Sequence, residues 1–330
     1  MRAAVVVDGG GFAVEDVADP EPGAGELLLR VSACGLCGSD LKARGAFPVG
    51  SILGHEFGGE VVGVGAGVDP AGWHDGMTAA VLPVASCGTC AWCVAGDVVH
   101  CASAQLIGLG GGAGGFAELV TVPAASSFAV PDSIERTHAA LVEPYAVGLH
   151  TADAGSIAEG DDVLVIGAGT VGLTTMAWAR ARGAASITAV DPVADRRANS
   201  ARFGGTATLA GIDEVEHGAY DVVVECVGKG GLLDASVNAA RPKGRIVIAG
   251  VCLDHDPFFQ ATALMKEVSV HFAVYYAPAD FRSVVVALEA GTIEAAPLVG
   301  ETRPLVELDA AFDALAASTT TGKILIAPNV

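Results

Sequence analysis

Four of the chain's eight cysteines fall in CGTCAWCVAGDVVHC, with the spacing Cys87-x2-Cys90-x2-Cys93-x7-Cys101. Thiolates two residues apart in a turn can converge on one small soft cation, and zinc takes four such sulfurs as a closed tetrahedron. Gly88 and Gly96 allow the sharp turns this needs. The same sulfurs could instead form disulfides, a redox Cys-x-x-Cys or an iron–sulfur cluster. Disulfides suit an exported chain, and a redox pair has no use for a third and fourth cysteine, so a zinc site is the expectation. Such a site holds a loop but has no open position for substrate. Metal chemistry would therefore need a second, open site.

Candidates for it are Cys37 in ACGLCGSDLK, His55 and Glu56 in LGHEFGGEVVGVGAGV, and Glu143 in LVEPYAVGLH. Cysteine, histidine and carboxylate ligands far apart in sequence would leave room for water or substrate. By spacing alone these residues also read as a satisfied histidine–glutamate pair and a packed cysteine. Cys34, Cys226 and Cys252 read as small buried hydrophobes.

A third group is DDVLVIGAGTVGLTTMAWARARGAASITAVDP, from residue 161. An apolar run at 163–166 predicts a buried parallel strand. Gly167, Gly169 and Gly172, with Thr170 and Val171 between the last two, form Gly-x-Gly-x-x-Gly. A helix-like stretch follows, and a second strand at 187–190 ends in Asp191. The first glycine permits a tight turn, the second a close approach to a pyrophosphate, and the third close helix–strand packing. The helix N-terminus faces the phosphate charge. Asp191, nineteen residues after Gly172, can accept hydrogen bonds from ribose hydroxyls and would repel a 2′-phosphate, which favours NAD over NADP. Arg196 and Arg197 pull the other way, since a nearby arginine can pair with that phosphate.

The elements that position these groups follow from the pattern around them. Strand-like runs at YDVVVECVG, GRIVIAGV and VSVHFAVYY alternate with helical segments, which predicts a doubly wound parallel α/β sheet. A length of 330 residues suggests two domains. With 52% hydrophobic and 17% charged residues, the chain reads as a folded, soluble enzyme rather than a disordered one. Its net charge of −20 disfavours nucleic acid. The uncharged stretch 76–96 could span a bilayer by length, but Pro83, three glycines and three cysteines argue against a membrane helix. No signal peptide is visible, and a cytoplasmic location is expected.

These motifs, in this order, resemble the zinc-dependent medium-chain dehydrogenase/reductase superfamily, the alcohol dehydrogenase kind. CGSD at 37–40 is similar to its first-ligand motif. Gly54, His55, Glu56, Gly59, Gly65 and Val68 fit its G-H-E-x-x-G-x5-G-x2-V signature, and the four-cysteine lobe follows in place. GGFAELVTVPA and GKILIAP match more loosely. The resemblance implies a discontinuous, mainly β, GroES-like catalytic domain at 1–143 and 285–330, with the structural zinc lobe at 87–101. It implies a Rossmann dinucleotide domain at 144–284. It makes Cys37 and His55 catalytic zinc ligands, and Glu143 in its Glu-Pro dipeptide points to the polyol and threonine dehydrogenase branch. In that branch Glu56 can also reach the metal, and which carboxylate binds directly stays open here.

The activity implied is hydride transfer between a secondary alcohol, polyol or related hydroxy compound and NAD. Two zinc ions per chain and a homodimer or homotetramer go with it. Ser39 would begin a proton relay. Lys42 stands where many relatives have histidine, so the relay could use water, cofactor ribose or Lys42 itself; otherwise Lys42 meets an anionic substrate or the cofactor, or is a surface lysine. The loop from Cys37 to His55 is shorter than in many relatives, and Phe47 either lines the pocket or packs in the core. An NADPH-dependent carbonyl reductase is the alternative enzyme reading. A non-catalytic nucleotide-binding scaffold is the alternative of another class, disfavoured because Cys37, His55 and the acidic ligand are all present. A zinc-free relative of the quinone-reductase kind is disfavoured on the same ground.

Overall fold

The computed structural model describes residues 1–43, 45–317 and 320–330, with the side chains of Lys42 and Ala43 outside the description. The roles considered for the Lys42 side chain therefore lie outside the described residues. The chain divides into two compact units, Met1–Glu143 with Ala277–Val330, and Pro144–Tyr276.

The first unit is built on a seven-stranded sheet. Its order is Val299–Pro304, Lys323–Ala327, Glu26–Gly35, Glu56–Val64, Thr78–Val81 and Ser127–Val130, with Leu119–Pro123 also pairing to Glu26–Gly35. Burial alternates along Glu26–Gly35, where Leu27, Leu29, Val31 and Ala33 face the core. That period of two marks a strand with one face covered. It breaks at Cys34 and Gly35, which are buried together as the strand runs into the interior. The paired strand lies very close: a Cβ on Gly59 would fall 2.1 Å from the Arg30 carbonyl oxygen. Phe12, Phe116 and Phe312 pack edge and face within the core, with ring centroids 5.0–6.4 Å apart.

The chain re-enters this unit at Ala277, earlier than residue 285. The helix Pro278–Glu289 starts there with proline in its first turn, and Asp280 accepts the Ala277 N–H at 2.7 Å. Its Phe281 lies 5.3 Å from the Phe128 ring, on the strand Ser127–Val130.

The second unit holds six parallel strands. Their spatial order is Ala207–Leu209, Ser186–Val190, Asp162–Ile166, Tyr220–Glu225, Ala240–Ile248 and Ser269–Phe272. By sequence this is 3-2-1-4-5-6, with the direction of winding reversing between Asp162–Ile166 and Tyr220–Glu225. Val163, Leu164 and Val165, and Val222, Val223 and Val224, are buried throughout. Continuous apolar runs are what a sheet covered on both faces requires. The architecture is the parallel α/β sheet that the sequence pattern predicts, with the mainly β domain that the resemblance implies. Among the described residues no helix is long and apolar enough to cross a membrane.

Candidate active site

The pairing of Gly35 with Glu56 brings two strand ends together. Cys37 follows the first of these strands and begins the turn into the short helix Gly38–Ala43; Glu56 opens the second, with His55 just before it. Gly54, with φ of +99°, makes the turn before them, and a Cβ there would meet Cys34 Sγ at 2.7 Å. As a result one donor atom each from Cys37, His55 and Glu56 lies within 4.8 Å of the others.

Two residues orient this trio. Asp40 is fully buried; its Oδ2 accepts the Cys37 N–H at 3.0 Å, and its Oδ1 lies 3.0 Å from His55 Nδ1. Burial alone would lower the His55 pKa, but the Asp40 carboxylate and then Cys37 outweigh it and hold it well above the usual range. A carboxylate at Nδ1 leaves Nε2 as the ligand nitrogen. Lys323, in the strand Lys323–Ala327, donates to Glu56 Oε1 at 2.6 Å and to the Leu36 carbonyl at 2.9 Å. Burial lowers the Lys323 pKa, but Glu56, with Cys37 and Glu143, outweighs it and holds it above the ordinary 10.5.

Asp40 Oδ1, His55 Nδ1 and Glu56 Oε2 are buried side-chain atoms without an aligned hydrogen bond. Leaving such atoms dry is costly. Glu56 Oε2 is an unsatisfied acceptor on a carboxylate that converges with a thiol and an imidazole, and this donor set fits zinc. Glu143, expected as a third ligand, is buried in the first turn of the helix Val142–Ala154 and helps to raise the Lys323 pKa. Of the two carboxylates left open as direct ligands, Glu56 is among the donors that converge within 4.8 Å, carried in by chain adjacency to His55, and Glu143 is not. Ser39 is exposed, two residues past Cys37. Phe47 packs against the core of the first unit, which accounts for it without a pocket role.

In the lobe, Cys87 Sγ lies 3.9 Å from Cys93 Sγ and 3.5 Å from Cys101 Sγ, and Cys90 Sγ lies 3.5 Å from Cys93 Sγ. Zinc–sulfur bonds of about 2.3 Å give tetrahedral edges of about 3.8 Å, which these separations bracket. A disulfide needs about 2.05 Å, and all eight cysteines are unbridged. Backbone N–H groups of Thr89 and Cys90 bring the Cys87 thiol down to about 6. Cys34 is buried as expected, whereas Cys226 and Cys252 are only half-buried because both follow strand ends and enter loops.

The glycine turn follows the strand Asp162–Ile166. Gly167 has φ of +98°, and a Cβ on Gly172 would lie 1.9 Å from the Gly167 carbonyl oxygen. Gly169 caps the helix Thr170–Ala181 with no side-chain cap, and a Cβ there would meet nothing within 4 Å. Open space above uncapped helix N–H groups fits a pyrophosphate. Asp191 is buried at the end of the strand Ser186–Val190; its Oδ2 accepts the Ala168 N–H at 3.0 Å and its Oδ1 the Val193 N–H at 2.8 Å. Arg197 donates to the Asp191 carbonyl at 2.6 Å.

Asp40 and Lys323 are the functional residues that pattern reading misses. Asp40 is the last residue of CGSD, and Lys323 is one cation opening an otherwise apolar strand.

A closed four-thiolate lobe, an open cysteine–histidine–glutamate cluster and a 3-2-1-4-5-6 sheet with a glycine turn together define a metal-assisted dehydrogenase. The chain belongs to the zinc-binding alcohol dehydrogenase family: residues 23–132 match the alcohol dehydrogenase GroES-like domain and residues 170–290 the zinc-binding dehydrogenase domain. It is 30% identical to L-galactonate-5-dehydrogenase of Escherichia coli (strain K12) over 313 residues, 89% of each chain. Galactitol-1-phosphate dehydrogenase from Escherichia coli has a similar structure, with a TM-score of 0.91 at 29% identity, covering 99% of this chain and 100% of that one. A structure solved as that of a zinc-binding dehydrogenase from Sinorhizobium meliloti 1021, bound to NADP, has a TM-score of 0.91 at 32% identity over 99% of both chains.

Proposed function

We propose that this chain oxidises a secondary hydroxyl of a polyol or related hydroxy compound with NAD, using one catalytic zinc, while a second zinc holds the four-cysteine lobe. The observation that carries the reading is the convergence of Cys37, His55 and Glu56 donors within 4.8 Å, with Glu56 Oε2 buried and unsatisfied. Cys37, His55 and Glu56 would hold the catalytic ion; Cys87, Cys90, Cys93 and Cys101 the structural one. When bound, zinc supplies Lewis acidity to a substrate hydroxyl, and the dinucleotide supplies the hydride acceptor.

The chain's own residues do the rest. Asp40 fixes the His55 ring, and Lys323 holds the Glu56 carboxylate through Oε1. Glu143, outside the converging set, is assigned as a hydrogen-bond acceptor for substrate or water. Ser39, with an exposed hydroxyl, accepts the substrate proton and passes it on. The turn from Gly167 through Gly169, Thr170 and Val171 to Gly172 receives the pyrophosphate on its helix N-terminus. Asp191 takes the ribose hydroxyls with its remaining lone pairs and repels a 2′-phosphate. Arg196 lies close in sequence to this corner and is assigned to the adenosine end. Assembly as a homodimer or homotetramer, and a reducing cytoplasmic setting in keeping with unbridged thiols, complete the proposal.

The NADP bound by the Sinorhizobium relative favours the alternative, an NADPH-dependent carbonyl reductase. Both readings are tested by following NADH and NADPH absorbance with zinc-loaded protein across polyols, sugar acids and the corresponding ketones. Polyol oxidation with NAD at a kcat/KM at least about tenfold above that with NADP is expected. A reversed ratio would favour the reductase, and no hydride transfer with any pair would sink both.

A further inference from the structure

Resting on the dinucleotide reading above, we propose that Glu225 is a positioning residue that fixes the two loops supporting the nicotinamide half of the cofactor. The sheet order gives the direction. Asp191 and the glycine turn place the adenosine end at strands Ser186–Val190 and Asp162–Ile166. A dinucleotide lies across the point where the strand order reverses, so its other half falls at the carboxyl ends of Tyr220–Glu225 and Ala240–Ile248.

Glu225 ends the first of these strands and is 2% exposed. Its Oε1 accepts the Val227 N–H at 2.6 Å and the Gly228 N–H at 2.8 Å. Its backbone carbonyl accepts the Ala249 N–H at 2.8 Å and the Gly250 N–H at 2.9 Å. One residue thus gathers four amide hydrogens from the loops that leave both strands. The neighbouring strands end instead in Ile166, Val190 and Ile248, so closing a strand in this sheet does not itself call for a carboxylate. Burying one is costly unless it is hydrogen-bonded, and these bonds go forward into the loop, not sideways into the sheet.

The loops leave no slack. A Cβ on Gly250 would lie 2.1 Å from Gly228 N and 2.6 Å from Glu225 Oε2, and one on Gly228 would lie 2.4 Å from the Val251 carbonyl. A Cβ on Gly167 would meet Val227 Cγ2 at 2.7 Å, so the first loop also abuts the glycine turn. Further along, Asp256 accepts the Gly231 N–H at 2.5 Å and the Leu233 N–H at 3.1 Å, and Asp234 accepts the Phe259 N–H at 2.7 Å, which pins the far end of the second loop. Val227 and Val251 stand on these loops 44% and 56% exposed, offering branched apolar faces to a flat ring.

The test compares binding of NADH with binding of ADP-ribose, which lacks the nicotinamide, by titration calorimetry on zinc-loaded protein. Glu225→Ala should weaken NADH about tenfold or more and leave ADP-ribose within about twofold. Glu225→Gln keeps a side-chain oxygen for the two N–H donors and should recover most of the loss. Amide exchange at Val227 and Gly228 should quicken in the alanine variant. If that variant does not fold, Gly250→Ala, whose Cβ would press on Gly228 N and Glu225 Oε2, separates the same loops while keeping the carboxylate and should show the same selective loss. Equal weakening of both ligands, or of neither, overturns the positioning role. Failure of the unaltered protein to bind ADP-ribose overturns the dinucleotide reading beneath it.

Discussion

Replacing Lys323 by methionine is the sharpest perturbation of the metal-site frame. Lys323 and Glu56 are each 2% exposed, with Nζ and Oε1 2.6 Å apart. Methionine fills a similar volume but leaves Glu56 buried without its cation. Removing one partner of a buried pair costs about 3–5 kcal/mol, whereas replacing both is close to neutral. For a unit of this size each kcal/mol moves the midpoint by about 2–4 °C, so metal-free Lys323→Met should unfold roughly 6–20 °C lower. Adding Glu56→Gln should restore much of the loss. Zinc-loaded protein should lose less, because the cation shares the burden of Glu56. The folded pKa of Lys323 is raised, so the pair's contribution is present below pH 10.5 and disappears as pH rises through the folded value. The assay is calorimetric unfolding with and without chelator, across pH. A metal-free Lys323→Met within about 1 kcal/mol of the parent, or a double variant no better than the single, would refute the reasoning.

Asp40→Asn should lower zinc affinity at the open site about 10–100-fold in a chelator competition, and unchanged affinity would remove Asp40 from the site. Gly172→Ala forces a Cβ against the Gly167 carbonyl and should lower both the unfolding temperature and NADH affinity. Gly169→Ala points a methyl into open space, so it should lower affinity alone; equal effects in calorimetry and binding would count against the assigned turn. Glu118 accepts the Arg2 backbone N–H at 2.7 Å and is held below its ordinary 4.5 by that bond first, against the opposing effect of burial. Its contribution is therefore present above pH 4.5 and lost below. The stability gap between Glu118→Gln and the parent should be open at neutral pH and close on acidification; a gap independent of pH would contradict it.

Much of this was legible before any coordinates. The parallel sheet announced itself through apolar runs ending at Gly167 and Asp191, because a strand buried on both faces must be continuously apolar. The four-cysteine lobe was legible for the same local reason: its ligands are within fifteen residues. The open site was harder, since Cys37 and His55 meet only through the pairing of Gly35 with Glu56, a contact that spacing does not encode. The sequence left open whether Glu143 or Glu56 binds directly; the carboxylate that converges with Cys37 and His55 is Glu56, and only three dimensions separate the two. Lys323 could not be foreseen because its partner lies 267 residues earlier. Glu225 was hidden in a strand whose apolar run looked complete without it.

The most direct test is zinc per chain, measured by elemental analysis on protein purified without added metal or chelator, for the parent and for Cys37→Ser. Two ions in the parent and one in the variant are predicted, the survivor being held by Cys87, Cys90, Cys93 and Cys101. One ion in both would leave the cluster of Cys37, His55 and Glu56 without a metal and contradict the account of how this chain activates a hydroxyl.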